Sequence, residues 1–212
     1  MLTIFTVPKP FRGHIGTIQR NAIRSWTRLR PECEVLLCGD DEGTAETAAE
    51  LGVRHIAGIA TNEMGSPLLS SVFAKAQAAG LGGGAPGAAG QARVAHSHLG
   101  VDYFVFSKQL WPQIPPFAIG RMYYDRWLIA KARVLGARVI DATERVTCVH
   151  QNHERTYATV GLQGPPGETL LRRGSEARRN LELAGGKRNL FSVRDSLIRR
   201  DLVEEAQSHG LL

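Results

Sequence analysis

The chain has 212 residues, 43% of them hydrophobic, enough to bury one sizeable core but long for one compact domain and short for two. Its net charge is +6 and its pI near 9.6. Residues 54–138 carry nine basic and three acidic side chains as scattered single charges, which argues against a clustered nucleic-acid-binding arm. No apolar run is long enough to span a bilayer, and no secretory-signal pattern precedes the first strand, so a cytoplasmic protein is expected. Cys33, Cys38 and Cys148 match no zinc spacing; Cys38 and Cys148 fall in strand-like runs and read as buried thiols.

Residues 2–7 predict a short buried strand that Pro8 and Pro10 end. From Gly13 to Leu29, apolar residues Ile15, Ile18, Ala22 and Trp26 trace one helix face, with Arg20, Arg24 and Arg28 on another, until Pro31 stops the helix. Residues 34–38 predict a second strand, Gly39–Gly43 a tight loop, Thr44–Leu51 a short helix closed by Gly52, and residues 53–56 a third strand. Such alternation is the pattern of a parallel sheet covered by helices. Ser66-Pro67 predicts the start of another helix, with Leu69, Val72, Phe73 and Ala76 on its apolar face.

Six glycines between Ala78 and Gly90 make regular structure costly in backbone entropy, so residues 78–100 read as a Gly/Ala-rich linker. Beyond it, residues 102–106 predict a strand, Pro112–Pro116 a loop, and Tyr123–Leu135 a helix stopped by Gly136. Residues 138–140 and 146–149 predict two more strands. Residues 161–174 read as a loop, and Ser175–Leu183 and Ser192–Gln207 as polar amphipathic helices. The expected organisation is one α/β domain over residues 1–160 and a C-terminal loop with helices over residues 161–212.

Several loops offer chemistry. Asp40 and Asp41 sit at the carboxyl end of a predicted strand just before a helix, where open α/β sheets bind ligands, and a carboxylate there accepts hydrogen bonds from a ribose or a base. Ordinary turn chemistry explains the same residues. Lys9 and Arg12 follow the first strand and could meet a diphosphate at the start of the next helix, although this loop lacks the P-loop and dinucleotide glycine patterns. Asp125, in a predicted first helical turn, suits a general base for a hydroxyl; a carboxylate stabilised by the helix dipole is the alternative. His150 and His153 close a predicted strand with imidazole nitrogens able to take a divalent cation, but two histidines fall short of the usual ligand number.

Taken together, these segments resemble the GT-A glycosyltransferases, the nucleotide-diphospho-sugar transferase superfamily, and especially its family-2-like members. The first strand ending in Thr6-Val7-Pro8 is similar to the fold's nucleotide-binding strand. Residues 39–46, GDDEGTAE, resemble its Asp-Asp-Gly-Ser loop, and residues 120–128, GRMYYDRWL, its acceptor-side segment. The resemblance implies a Rossmann-like, mostly parallel sheet flanked by helices, with Thr6, Lys9, Arg12, Asp40 and Asp41 on the nucleotide and Asp125 as the base. It also implies a magnesium or manganese ion near His150, or less so His153. The expected partners are a nucleotide-sugar donor and an acceptor hydroxyl, and an inverting outcome follows from a single base. The sequence departs from the family where a central strand should end in Asp-x-Asp: residues 57–101 hold Glu63 as their only carboxylate. Loss of that strand, and impaired transfer, are therefore expected. Two other readings stand beside this one: a non-catalytic nucleotide-binding protein, and a basic protein contacting nucleic acid through Arg172, Arg173, Arg178 and Arg179. Near charge balance after residue 168 argues against the last.

Overall fold

The computed structural model describes residues 2–80, 103–139 and 168–190, the side chains of the last stretch from residue 174 onward. Strands β1 (Leu2–Thr6), β2 (Cys33–Cys38) and β3 (Arg54–Ile56) form a parallel sheet in the order β1-β2-β3. Ile4 pairs with Val35, Phe5 with Leu36, and Leu36 in turn with Arg54. The central strand is also the most apolar, as a parallel strand covered on both faces must be. Its alternate side chains feed two cores. Val35 and Leu37 pack with Ile23 of α1 (Gly13–Trp26) and Ala48 of α2 (Thr44–Leu51). Leu36 and Cys38 face the other way, onto Ile59 and onto Val72 and Ala76 of α3 (Leu69–Ala79). The result is an α/β structure with helices on both sides of a small parallel sheet.

A third core joins α3 to α4 (Tyr124–Val134), α5 (Glu168–Leu183) and a 3-10 turn at Lys187–Asn189. Aromatic edges meet faces there: Phe73 lies 5.6 Å from Trp111, and Phe117 5.2 Å from Trp127. Phe5 touches this core from β1.

Several sequence expectations need correction. The helix expected to open at Ser66-Pro67 begins at Leu69, because Pro67 and Leu68 are extended: Ile119 N–H donates to Pro67 O, and Leu68 bridges Ala118. That helix runs to Ala79, so residues 78 and 79 belong to it rather than to the linker. Residues 103–106 form no strand, although their side chains alternate between inside and outside. Phe104 and Phe106 point inward, whereas Tyr103 and Val105 are 50% and 64% exposed. Phe106 sits 6.0 Å from Phe5, and Trp26 Nε1–H donates to Tyr103 Oη at 3.1 Å. Side-chain packing thus lays this segment along the open side of β1 without pairing it into the sheet. Lastly, the expected loop over residues 161–174 is helical from Glu168: the breakers Gly164–Gly167 end just before it, and Gly174 lies in open space where it disturbs no neighbour.

Residues 138 and 139 likewise show no strand. Residue 140, the expected strand at 146–149, the remainder of the 78–100 linker up to residue 100, and the helix at Ser192–Gln207 lie outside the described residues. Among the described residues no helix is long and apolar enough to cross a membrane.

Candidate functional site

The carboxyl ends of three parallel strands gather the loops that the sequence singles out. Gly43 opens α2 with φ +81°, and a Cβ placed there would lie 2.8 Å from Phe11 Cβ, so only glycine allows this approach. Through it the loop after β2 meets the loop after β1. Phe11 N–H donates to Glu42 O at 2.9 Å, and the Arg12 guanidinium pairs with the Glu42 carboxylate. Hydrogen bonding and charge from Glu42 hold the Arg12 pKa above its usual value, and the Arg12 hydrogen bond holds Glu42 below the ordinary carboxylate range. Both side chains are exposed, so the pair is a surface contact.

Asp40 is anchored by one oxygen. Gly58 N–H, at the carboxyl end of β3, donates to Asp40 Oδ2 at 2.7 Å. The Oδ1 atom lies 3.8 Å from His55 Nε2, and the side chain is 55% exposed. His55 Nε2 itself is 2.8 Å from Gly39 O, which places its proton on that carbonyl. Asp41 contributes through its backbone, since Thr44 N–H donates to Asp41 O at 3.0 Å; its side chain stands in solvent. Lys9 has its main chain gripped at both ends by the Gln19 amide, at 2.7 and 2.8 Å, which leaves its ammonium exposed. Thr6 ends β1 opposite Leu37.

Asp125 belongs to a different element. It lies in the first turn of α4 behind Tyr123, a non-glycine residue at φ +90°. Burial raises its carboxyl pKa, against the opposing pull of the Arg126 N–H, which donates to Asp125 Oδ1 at 2.8 Å. The described hydrogen bonds and ion pairs join Asp125 to none of Lys9, Arg12, Asp40 or Asp41. The segment ahead of α4 does pass the carboxyl end of the sheet, where Ile119 packs on the cluster holding Cys38 and Ile59. The Cys38 thiol is pushed up to about 12 by burial, as expected of an inert core thiol.

His150 and His153 lie outside the described residues. Among the described residues no group of three His, Cys, Asp or Glu side chains is placed to hold a metal ion. These residues therefore do not by themselves make a cation site.

Sequence reasoning missed a polar hook on α5. Glu176, 2% exposed, accepts from Arg121 Nε at 2.5 Å and Asn62 Nδ2 at 2.7 Å. Asn180, 1% exposed, accepts Ala118 N–H at 2.9 Å and donates to Ala118 O and Met122 O. The two sit one turn apart on α5 and clasp the strap leading to Asp125. Their i,i+4 spacing was the one available signal, and a polar helix face is usually solvated.

In comparisons with known proteins, the chain matches no family, no curated protein and no solved structure.

Proposed function

We propose that the chain is a glycosyltransferase-like protein that binds a nucleotide-sugar donor on the loops after β1 and β2. The observation that carries this reading is the anchoring of Asp40: one oxygen is fixed to Gly58 N–H and the other stays open at the carboxyl end of a parallel sheet. Ligands of open α/β sheets bind at that end. In this reading Asp40 and Asp41 take the nucleoside, and Lys9 and Arg12 the diphosphate. Thr6 closes the floor. Asp125, its basicity increased by burial, accepts the proton of an acceptor hydroxyl. The freed oxygen attacks the anomeric carbon, whose bond to the diphosphate oxygen breaks with inversion, and a nucleoside diphosphate leaves. His150 and His153 would hold the proposed magnesium or manganese ion, which would supply counter-charge to the leaving diphosphate.

Calorimetry with UDP, UDP-glucose and GDP-mannose, with and without manganese, tests it. Binding that falls at least about tenfold in Asp40→Asn, the effect of losing a charge-assisted hydrogen bond, is the expected result. No binding of any of the three ends the proposal. A second reading, nucleotide binding without turnover, is favoured by the lack of any carboxylate except Glu63 in residues 57–101. It predicts metal-independent binding and no product.

A further inference from the structure

We propose that the hollow between α3, α4 and the loop over residues 108–115 binds a small organic oxyanion, a carboxylate or phosphate carried on an apolar body. The hollow measures about 620 Å³, within the roughly 300–1,000 Å³ of small-ligand sites. Phe73, Trp111 and Trp127 supply apolar walls, and Ser70, Gln113 and Lys131 supply polar groups. A second hollow of about 410 Å³ shares Gln77, Trp111 and Pro112 with it and adds Lys108 and Gln109. The two adjoin at Gln77, Trp111 and Pro112.

Its polar chemistry is one-sided. Lys108 and Lys131 are the charged residues lining the hollows, and no carboxylate lines either. Among the described residues neither lysine has a hydrogen bond or ion-pair partner. Gln77 Oε1 is taken by Gln109 N–H at 2.8 Å, so the amide presents its NH₂ group. The Trp111 indole N–H donates to Leu128 O at 3.0 Å, which leaves the ring only hydrocarbon to offer. Solvent-facing donors with no protein acceptor beside an apolar wall suit a ligand with acceptors at one end and carbon at the other. Positive charge on both rims makes that acceptor anionic. No residue of the loops at the sheet's carboxyl end lines either hollow, so the inference stands apart from the nucleotide reading.

The three tryptophans provide the test, because Trp111 and Trp127 line the hollow and Trp26 does not. The full chain is titrated with phenyl phosphate, benzoate, inorganic phosphate and benzyl alcohol while the indole N–H signals are followed by NMR, with Trp26 assigned from Trp26→Phe. The expected result is movement of the Trp111 and Trp127 signals with phenyl phosphate or benzoate, at lower concentration than with inorganic phosphate or benzyl alcohol. The tighter of the first two identifies the oxyanion. Lys108→Gln with Lys131→Gln should weaken binding at least about tenfold, while Lys187→Gln, outside the hollow, leaves it unchanged. Wild-type binding should also weaken as salt is raised, a readout that needs no variant. An equal response to benzyl alcohol, no response to either aromatic anion, or salt-independent binding overturns the proposal.

Discussion

Around the sheet most polar groups stay at the rim, with Glu34 of β2 the exception, its side chain 7% exposed between Thr3 and Arg54; on the α4–α5 side they are built into the interior. β2 buries Val35, Leu36, Leu37 and Cys38, and the ion pairs Arg12–Glu42 and Arg24–Glu50 lie on the surface. On the other side Glu176 and Asn180 are buried, with partners as far away in sequence as Asn62. Apolar periodicity suffices to build the first region, because a strand with alternate faces finds helices on both sides. The second needs specific donors and acceptors to meet, and each is costly if left alone.

The largest effect should come from cutting the apolar half at its centre. Leu37→Ala is expected to cost about 3–5 kcal/mol in urea unfolding, since a fully enclosed leucine leaves a cavity that parallel strands cannot close. Glu176→Ala is expected to cost about 3 kcal/mol, by stranding the largely buried Arg121. A loss below about 1 kcal/mol would show that the hook is ornamental and that aromatic packing alone holds α5.

Acid separates two carboxylates on that same side. Burial works to raise the Glu176 pKa, but hydrogen bonds from Asn62, Ser66 and Arg121 and the charge of Arg121 outweigh it and hold the group below its ordinary value. Its stabilisation is complete above the unfolded value of about 4.3 and is lost as pH falls through the lower folded value. Asp125, raised by burial, has the opposite sign: its contribution is fully present below the unfolded value of about 3.9 and is lost as pH rises through the folded one. Stability of Glu176→Gln should therefore decline less on acidification below about pH 5 than that of the wild type, and Asp125→Asn more steeply. Thermal melts across pH 3–7 read both; parallel curves for all three proteins would dismiss the assignment.

The legibility of the chain follows the same divide. The helix Thr44–Leu51 is read to the residue, because Gly43 and Gly52 mark both ends with left-handed backbone that few other residues adopt. β1, β2, β3 and α1 emerge within a few residues for the same local reasons. Across the divide, Ser66-Pro67 carries a helix-start pattern yet is pulled into an extended strap by Ile119 and Ala118, which lie about fifty residues away. The segment over residues 103–106 keeps its alternation and loses its ladder, because Phe106 finds Phe5, Phe73 and Trp111. At the candidate site, Asp40 and its loop are visible in the sequence, while Gly58 N–H and His55, which orient it, carry no signature. A backbone donor never does.

Thr44 and Thr47 break the pattern of the sheet region. Both are fully buried, and neither Oγ1 has a hydrogen-bond partner among the described residues. Replacing a hydroxyl that makes no bond by a methyl of the same shape removes a desolvation cost. Thr47→Val should thus raise stability by about 1 kcal/mol in urea unfolding. A loss instead would mean that the hydroxyl is bonded in solution.

The smallest change in stability, and the one most telling for function, is expected at the rim. Glu42→Ala removes one side of an exposed pair whose partner is 73% exposed, so the urea midpoint should barely move. Its effect on ligand binding has a definite direction. If Arg12 takes the proposed diphosphate, it no longer has to be drawn from a carboxylate with Glu42 gone, and UDP should bind more tightly at low salt, while Arg12→Ala weakens binding. Calorimetry on the pair of variants decides the matter. If Glu42→Ala binds UDP more weakly than the wild type, the carboxylate is there to hold the loop beside Phe11, and the diphosphate lies elsewhere.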